Sequence, residues 1–338
     1  MIQKEERGTL HGNVQQTMFN IELNGTMFDM LSSKVYNDKI KAVIREYSTN
    51  AVDACIDAGL PINFHVHLPT VIEPYFIVRD YGTGMSKDNM LTLFSTMGQS
   101  TKRESNDFNG VFGIGKLAGL AYAKRFQVTS YLDGMKYAYV VSVNNGVPTM
   151  MPLGELSTKE PNGLEVRIEV ATEDIKTFSE RAAQVYQWFD HKPATNIKLT
   201  YPVTKKIVEG DNWYVEENDY SYYNRRRVHA KLIMGNVEYT VNHDELPSFL
   251  SQVSLVFKAP LGVVSITPGR ESLSYDKTTL SYLKSEIERI TKNFAQQLSK
   301  GCNADTEYKR CEQFNDKVSA LPYQLTNFIK FEQAKSKY

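Results

Sequence analysis

The sequence predicts an α/β sandwich, a mixed and largely antiparallel sheet with helices on one face, followed by a second α/β unit. Three observations predict it. Strand-like segments at 125–131, 136–143 and 163–170 are joined by hairpin signals, Asp133-Gly134 and Asn144-Asn145-Gly146. Helix-like stretches at 29–58, 86–95 and 172–191 interleave with the strands. Farther on, residues 228–265 alternate like strands and 275–297 carry a strong helical pattern, which gives the second unit a core of its own.

Taken in order, residues 1–28 are polar with short apolar alternation, as in Met18-Phe19-Asn20-Ile21-Glu22-Leu23, and read as a flexible start and then a strand. Residues 29–58 read as helix. Asn63 to Leu68 alternates as a strand whose polar face carries His65 and His67; with no third ligand near in sequence, solvent-facing residues are favoured over a metal pair. Tyr75 to Val78 is a strand closed by Asp80. Residues 86–95 follow a Ser86 cap, with Asp88 placed to complement the helix dipole. Residues 95–109 have loop composition. In 172–191, Ile175, Phe178, Ala182, Val185, Tyr186 and Phe189 recur at helical spacing before Pro193. Trp213 to Tyr223, beside Arg225-Arg226-Arg227, reads as a solvated loop and strand edge or as a partner surface. Residues 300–338 are charged and helical in parts, interrupted at Pro322. The expected division is an N-terminal strand at 1–28, a first domain at 29–192, a second at 193–300 and a helical segment at 301–338.

The chemistry concentrates in VIREYSTNAVDACIDA, residues 43–58. Glu46, Asn50 and Asp53 fall four and then three residues apart, which puts them on one face of a helix. A carboxylate and a carboxamide one turn apart can hold a water and a magnesium ion side by side, since magnesium takes hard oxygen ligands and keeps substrate phosphates in its shell. The alternative is an ordinary amphipathic helix with its polar side in solvent. Next, Asp80 ends a strand and is followed by Gly82, Gly84 and Met85, a turn where backbone can approach a ligand and the carboxylate can accept from an exocyclic amine. Then Gly110, Val111, Phe112, Gly113, Ile114, Gly115 and Lys116 open a helix-like run, an arrangement that suits phosphate through free N–H groups and the helix dipole. Lys116 adds a cation there or points away. Far downstream lies Thr267-Pro268-Gly269-Arg270-Glu271-Ser272-Leu273.

In this order REYSTNAVDA, DYGTGM and GVFGIGK resemble the nucleotide-binding motifs of the GHKL ATPases, the superfamily of gyrase-type topoisomerases, ninety-kilodalton heat-shock chaperones, histidine kinases and MutL. Arg45-Glu46, Gly98-Gln99-Ser100-Thr101-Lys102 and Gly269 to Leu273 resemble the chaperone branch, and Met30 to Tyr36 resembles bacteriophage rIIA-like proteins. The resemblance covers most of 20–170 and touches 255–295. It implies a Bergerat-type ATP-binding sandwich with a transducer-like second α/β domain, and ATP and Mg2+ as ligands. Glu46 is then the base for the attacking water, Asn50 a magnesium ligand, Asp53 a support and Asp80 the adenine reader. Ser100, Thr101 and Lys102 sit in a lid, with a solvated loop as the alternative. Arg270 meets the terminal phosphate, or else is a surface residue capping a carbonyl. One departure stands out: the superfamily usually has Thr after the glycine of the last nucleotide-binding strand, and here Leu164 follows Gly163.

Composition narrows the function. Acidic and basic residues balance to zero net charge, which argues against a nucleic-acid binder with a global basic field. Cys55, Cys302 and Cys311 show neither a metal spacing nor a disulfide framework; Cys55 reads as a small core residue and a cytoplasmic setting fits. No apolar run approaches a membrane span. The resulting expectation is a slow, magnesium-dependent ATPase switch acting on protein partners, with ATP-linked homodimerisation. A non-hydrolysing nucleotide sensor and a gyrase- or MutL-like nucleic-acid machine are the competing classes.

Overall fold

The computed structural model describes residues 36–95, 115, 118–217, 229–242, 244–267, 269–300, 302–321, 325, 326 and 329. It contains α1 (Lys39–Asp57), β1 (Phe64–His67), β2 (Tyr75–Asp80), α2 (Lys87–Ser95), α3 (Ala118–Tyr122), β3 (Arg125–Leu132), β4 (Met135–Asn144), β5 (Val147–Ser157), β6 (Gly163–Glu169) and α4 (Ile175–Tyr186). There follow β7 (Ala194–Thr195), β8 (Lys206–Gly210), β9 (Trp213–Glu216), β10 (Ala230–Met234), β11 (Val237–Val241), β12 (Ser254–Ala259), α5 (Lys277–Ser299) and α6 (Glu307–Ser319).

Two mixed sheets result, as the fold class requires. The first has the order β5-β4-β3-β6-β2-β1-β7, antiparallel throughout except for the parallel β1–β7 pair. The second has the order β11-β10-β12-β9-β8, with β10 and β12 parallel. Helices α1, α3 and α4 bury the apolar side of the first sheet: Val43, Ile44, Phe76, Val128, Phe178 and Tyr186 share one core. The second sheet has a separate core with α5, whose Leu283, Ile287, Ile290 and Phe294 recur at helical spacing.

Several element ends differ from the sequence reading, each for a local reason. Among the described residues the first helix starts at Lys39, where Asp38 caps it by accepting from Lys41 N at 2.9 Å, so the expected helix over 29–58 is broken at 36–38; residues 29–35 lie outside the described residues. The predicted 172–191 helix begins with a 3-10 turn at Thr172–Asp174 and stops at Tyr186; Phe189 instead turns inward against Phe64 and Tyr186. Trp213, read as part of an exposed loop, is a buried core residue of β9, stacked edge-on to Phe294. The hairpin signals hold: Asp133 and Gly134 have φ of 51° and 78°, Asn145 and Gly146 of 48° and 79°, the positive values that tight two-residue hairpins need. His65 and His67 lie on the strand as expected, and among the described residues no group of metal-ligating side chains forms. Cys55 is a buried core residue. Among the described residues no helix is long and apolar enough to cross a membrane.

Ile287→Ala should lower the unfolding free energy by about 2–5 kcal/mol, the usual result of truncating a fully buried aliphatic side chain. The exposed neighbour Lys284→Ala should stay within about 0.5 kcal/mol. Urea unfolding of both variants against wild type measures the difference.

Candidate functional site

Helix α1 is buried almost all round, so the ordinary amphipathic helix is not what forms. Every residue from Ala42 to Thr49 is buried, including Arg45, Glu46, Ser48 and Thr49, and Asp53 is fully buried. Such a helix needs a partner for each polar group. Thr49 Oγ1 bonds back to the Arg45 carbonyl at 2.9 Å, Ser48 Oγ meets the Tyr186 hydroxyl of α4 at 2.8 Å, and the Tyr47 hydroxyl accepts from Gly119 N of α3 at 2.8 Å. Asn50, the candidate magnesium ligand, stands half-buried one turn after Glu46.

Glu46 is 3 % exposed, and each of its carboxylate oxygens faces a guanidinium. Oε1 lies 3.1 Å from Arg45 Nη2 and Oε2 lies 3.2 Å from Arg270 Nη1. Arg270 comes from the turn that follows the second sheet's β12. Its alternative reading as a surface residue is excluded, for it is 4 % exposed. Burial opposes its charge, but Glu46, Tyr239 of β11 and Asp53 outweigh that and hold the guanidinium pKa above its ordinary value. Gly115, at the end of the glycine motif, runs directly against the same carboxylate: a Cβ there would overlap Glu46 Oε2. Three separate stretches of sequence therefore converge on Glu46.

The Asp80 end of the site is built by close backbone approach. Asp80 Oδ1 accepts from Gly82 N at 2.9 Å and from Leu164 N at 3.1 Å. A side chain at Gly82 would meet the Ala54 carbonyl of α1 at 2.8 Å. Gly84 has φ +73° and abuts the Tyr131 carbonyl; Gly163 has φ +138° and abuts the Asp80 carbonyl. Ser130 Oγ pins the turn by accepting from Met85 N at 2.8 Å and donating to Met85 O at 2.7 Å. Burial pushes the Asp80 carboxyl above the usual carboxylate range, against the lowering effect of the Gly82 and Leu164 amides. Leu164 stands where the resemblance puts Thr. The backbone N–H of this residue, rather than a side-chain hydroxyl, reaches Asp80, and any residue but proline supplies that donor.

Of the residues singled out in the sequence, Glu46, Asn50, Asp53, Asp80, Gly82, Gly84, Met85, Gly115 and Arg270 are among the described residues and lie on or near α1, the end of β2 and the start of β6. Ser100, Thr101, Lys102, Gly110, Val111, Phe112, Gly113, Ile114 and Lys116 lie outside the described residues. Sequence reasoning passed over Ser130, Tyr239 and Glu271. Ser130 stands opposite Leu164 across the β3–β6 ladder, a pairing that no local pattern announces.

The arrangement has the chemistry a nucleotide would need: a carboxylate in a glycine-walled turn at one end, and a glycine against a second carboxylate that two guanidinium groups face at the other. Residues 38–149 match the family model of histidine kinase-, DNA gyrase B- and HSP90-like ATPases. Over those residues the chain is similar to an ATPase domain of the GHKL type. It is similar to a component of the type 2 DNA topoisomerase 6 of Archaeoglobus fulgidus, 25% identical over 182 residues that cover 49% of this chain and 30% of that protein. It is also similar to the chaperone protein HtpG of Mycolicibacterium gilvum, 27% identical over 188 residues, 48% of this chain and 29% of the relative. The chain spans under a third of the length of these curated relatives.

Ser130→Ala removes both hydrogen bonds to Met85 and leaves a buried amide without its acceptor. It should cost about 1–3 kcal/mol of stability and weaken nucleotide binding through the loosened Asp80 turn. Thermal unfolding and a fluorescent-nucleotide titration check the two effects.

Proposed function

We propose that this chain is a magnesium-dependent ATPase in which nucleotide binding and slow hydrolysis reset the placement of the second sheet against the first. The observation that carries the reading is the convergence on Glu46 of helix α1, the end of the glycine motif and Arg270 of the second sheet. On this reading residues 29–192 form the ATP-binding domain and 193–300 the domain that supplies Arg270.

Asp80 Oδ2 accepts from the exocyclic amine of adenine, since Oδ1 is already saturated by two amides. The Gly110–Lys116 motif cradles the phosphates through backbone N–H groups. Magnesium, with the Asn50 carboxamide oxygen as a ligand, neutralises phosphate charge when bound. Glu46 orients the attacking water and takes its proton as the bond to the terminal phosphorus forms. Arg270 offsets the charge that spreads over the phosphoryl oxygens in the transition state. Asp53 helps keep that guanidinium charged.

The partner on this reading is a protein, consistent with the zero net charge, and ATP-linked pairing of two copies accompanies the switch. The topoisomerase and chaperone names of the relatives differ in what they act on, so the shared ATP chemistry, not either client, is what transfers. The resemblance of residues 30–36 to phage rIIA-like proteins gives a phage factor in a host cytoplasm as the narrower form of the proposal.

Phosphate release from ATP should depend on magnesium and disappear with a chelator. Glu46→Ala should slow it by about 100-fold or more, while the nucleotide Kd stays within a few-fold. Binding without hydrolysis in wild type would instead support a nucleotide sensor, and no binding at all would refute the reading. Asp80→Asn replaces one acceptor oxygen by a donor amide facing the exocyclic amine, and should weaken ATP by about tenfold or more. A competition titration of ATP against GTP on this variant reads the loss at the base. Light scattering with and without a non-hydrolysable ATP analogue tests the pairing; an unchanged monomer would discard it.

A further inference from the structure

The Arg270 turn meets helix α1 at three successive residues, and each makes a different bond. The Gly269 carbonyl accepts from Arg45 Nη2 at 2.7 Å. Arg270 pairs with Glu46 at 3.2 Å. The Glu271 carboxylate accepts from Asn37 N at 2.8 Å and from Asp38 N at 3.3 Å, one oxygen to each amide. The last contact falls at the start of the helix, two turns before Glu46, so the turn is fixed at two well-separated points along α1.

Arg270 needs that fixing. Its φ of +54° is the left-handed conformation, which costs a residue with a Cβ free energy and persists only where surrounding contacts over-determine it. Within the turn, Arg270 N bonds to Thr267 O at 2.8 Å and Thr267 N to Ser272 O at 3.0 Å, and Ile266 bridges Leu273. Those bonds shape the turn but do not say where it sits on the helix. Glu271 does. The amides it holds flank a residue that is itself immobilised: Asp38 caps α1 through Lys41 N and pairs with Arg181 Nε of α4 at 2.6 Å. Glu271 therefore reads the position of the α1–α4 junction and passes it to its neighbour Arg270.

We propose that Glu271 is a positioning residue, whose seat on the Asn37 and Asp38 amides registers the turn on α1 and so sets where the Arg270 guanidinium lies relative to Glu46. Its catalytic consequence rests on the hydrolytic reading of Glu46 given above; the registration itself does not. Glu271 touches neither Glu46 nor the reacting atoms. A carboxylate is suited to the task because two adjacent amides point at it and the start of a helix favours negative charge.

The test uses the full chain labelled with 15N-arginine. In wild type the side-chain N–H signals of Arg45 and Arg270, assigned with Arg45→Lys and Arg270→Lys, should be shifted and slow to exchange with solvent. Glu271→Ala, and Glu271→Asp, which is one methylene too short, should collapse the Arg270 signal toward that of a solvated arginine. Glu271→Gln keeps one acceptor oxygen and should restore part of it. In parallel, Glu271→Ala should lower kcat for ATP by about tenfold or more, as expected for a displaced catalytic group, with nucleotide Kd within about twofold and partial recovery in Glu271→Gln. An Arg270 signal unchanged in Glu271→Ala overturns the proposal, whatever the activity. So does a variant whose stability falls while kcat per bound nucleotide holds, for then Glu271 is a helix anchor only. A wild type that binds no nucleotide removes the ATPase reading, and the arginine signals then decide the registration by themselves.

Discussion

The structure turns on one buried carboxylate. Removing a carboxylate from water costs several kcal/mol even after relaxation, and Glu46 is 3 % exposed. It is tolerated because each oxygen has a guanidinium against it. Arg45 is its neighbour in the same helix, but Arg270 belongs to the turn beyond the second sheet. The first sheet and its helices thus do not satisfy their own central residue. Stripping one partner from a buried pair of this kind is worth about 3–5 kcal/mol, so the second sheet is held against the first at the point where the candidate chemistry sits. Weaker ties, Trp188 Nε1 to Glu238 at 2.8 Å and Lys258 to Asp190 at 3.3 Å, lie nearer the surface and add less.

A second constraint is the close approach of backbone around Asp80. Gly82, Gly84 and Gly163 each stand where a Cβ would overlap a carbonyl, and two of them also have positive φ. They draw the end of β2, the start of β6, the end of β3 and the last turn of α1 together, and the amides of Gly82 and Leu164 meet the Asp80 carboxylate. The amide of residue 164 reaches Asp80 whatever side chain stands there.

The sequence made much of this legible. Glycines needed for positive φ, hairpin dipeptides and the α5 stripe leave local marks, and so does a helix with three polar residues on one face. Spacing and residue type single out the carboxylate, the carboxamide and the strand-end Asp; the roles given to them come from the resemblance. What escaped was long-range. Trp213 looked exposed because acidic and aromatic residues surround it in sequence, whereas tertiary packing against Phe294 decides its burial. The Asp38 cap is instead a local signal that sequence reasoning passed over, whereas Phe189 leaves the helical run for a tertiary contact with Phe64 and Tyr186. Ser130 and Glu271 are ordinary polar residues in sequence; their roles exist only once β6 lies beside β3 and the Arg270 turn lies on α1. Polar partnerships between distant segments have no period to detect.

If Glu46 is both the tie between the sheets and the base, the two duties compete. Each of its oxygens faces a guanidinium, so taking a proton from water requires one contact to open. Opening the Arg45 contact by turning the Glu46 oxygen away keeps the Arg45–Gly269 bond, and so leaves the second sheet where it is. Opening the Arg270 contact releases a tie between the sheets, and a terminal phosphate is the natural new partner for the freed guanidinium. In the first case hydrolysis proceeds without movement; in the second it is linked to it. Linkage is reciprocal for binding: whatever shifts the second sheet must then change nucleotide affinity by the same factor that nucleotide changes the sheet's placement. A partner protein bound to the second unit would act on the ATP site through this carboxylate without touching the nucleotide. The size of that coupling is bounded by what the contacts of Gly269, Arg270 and Glu271 contribute together, because a ligand shifts an equilibrium only by its differential affinity for the two arrangements.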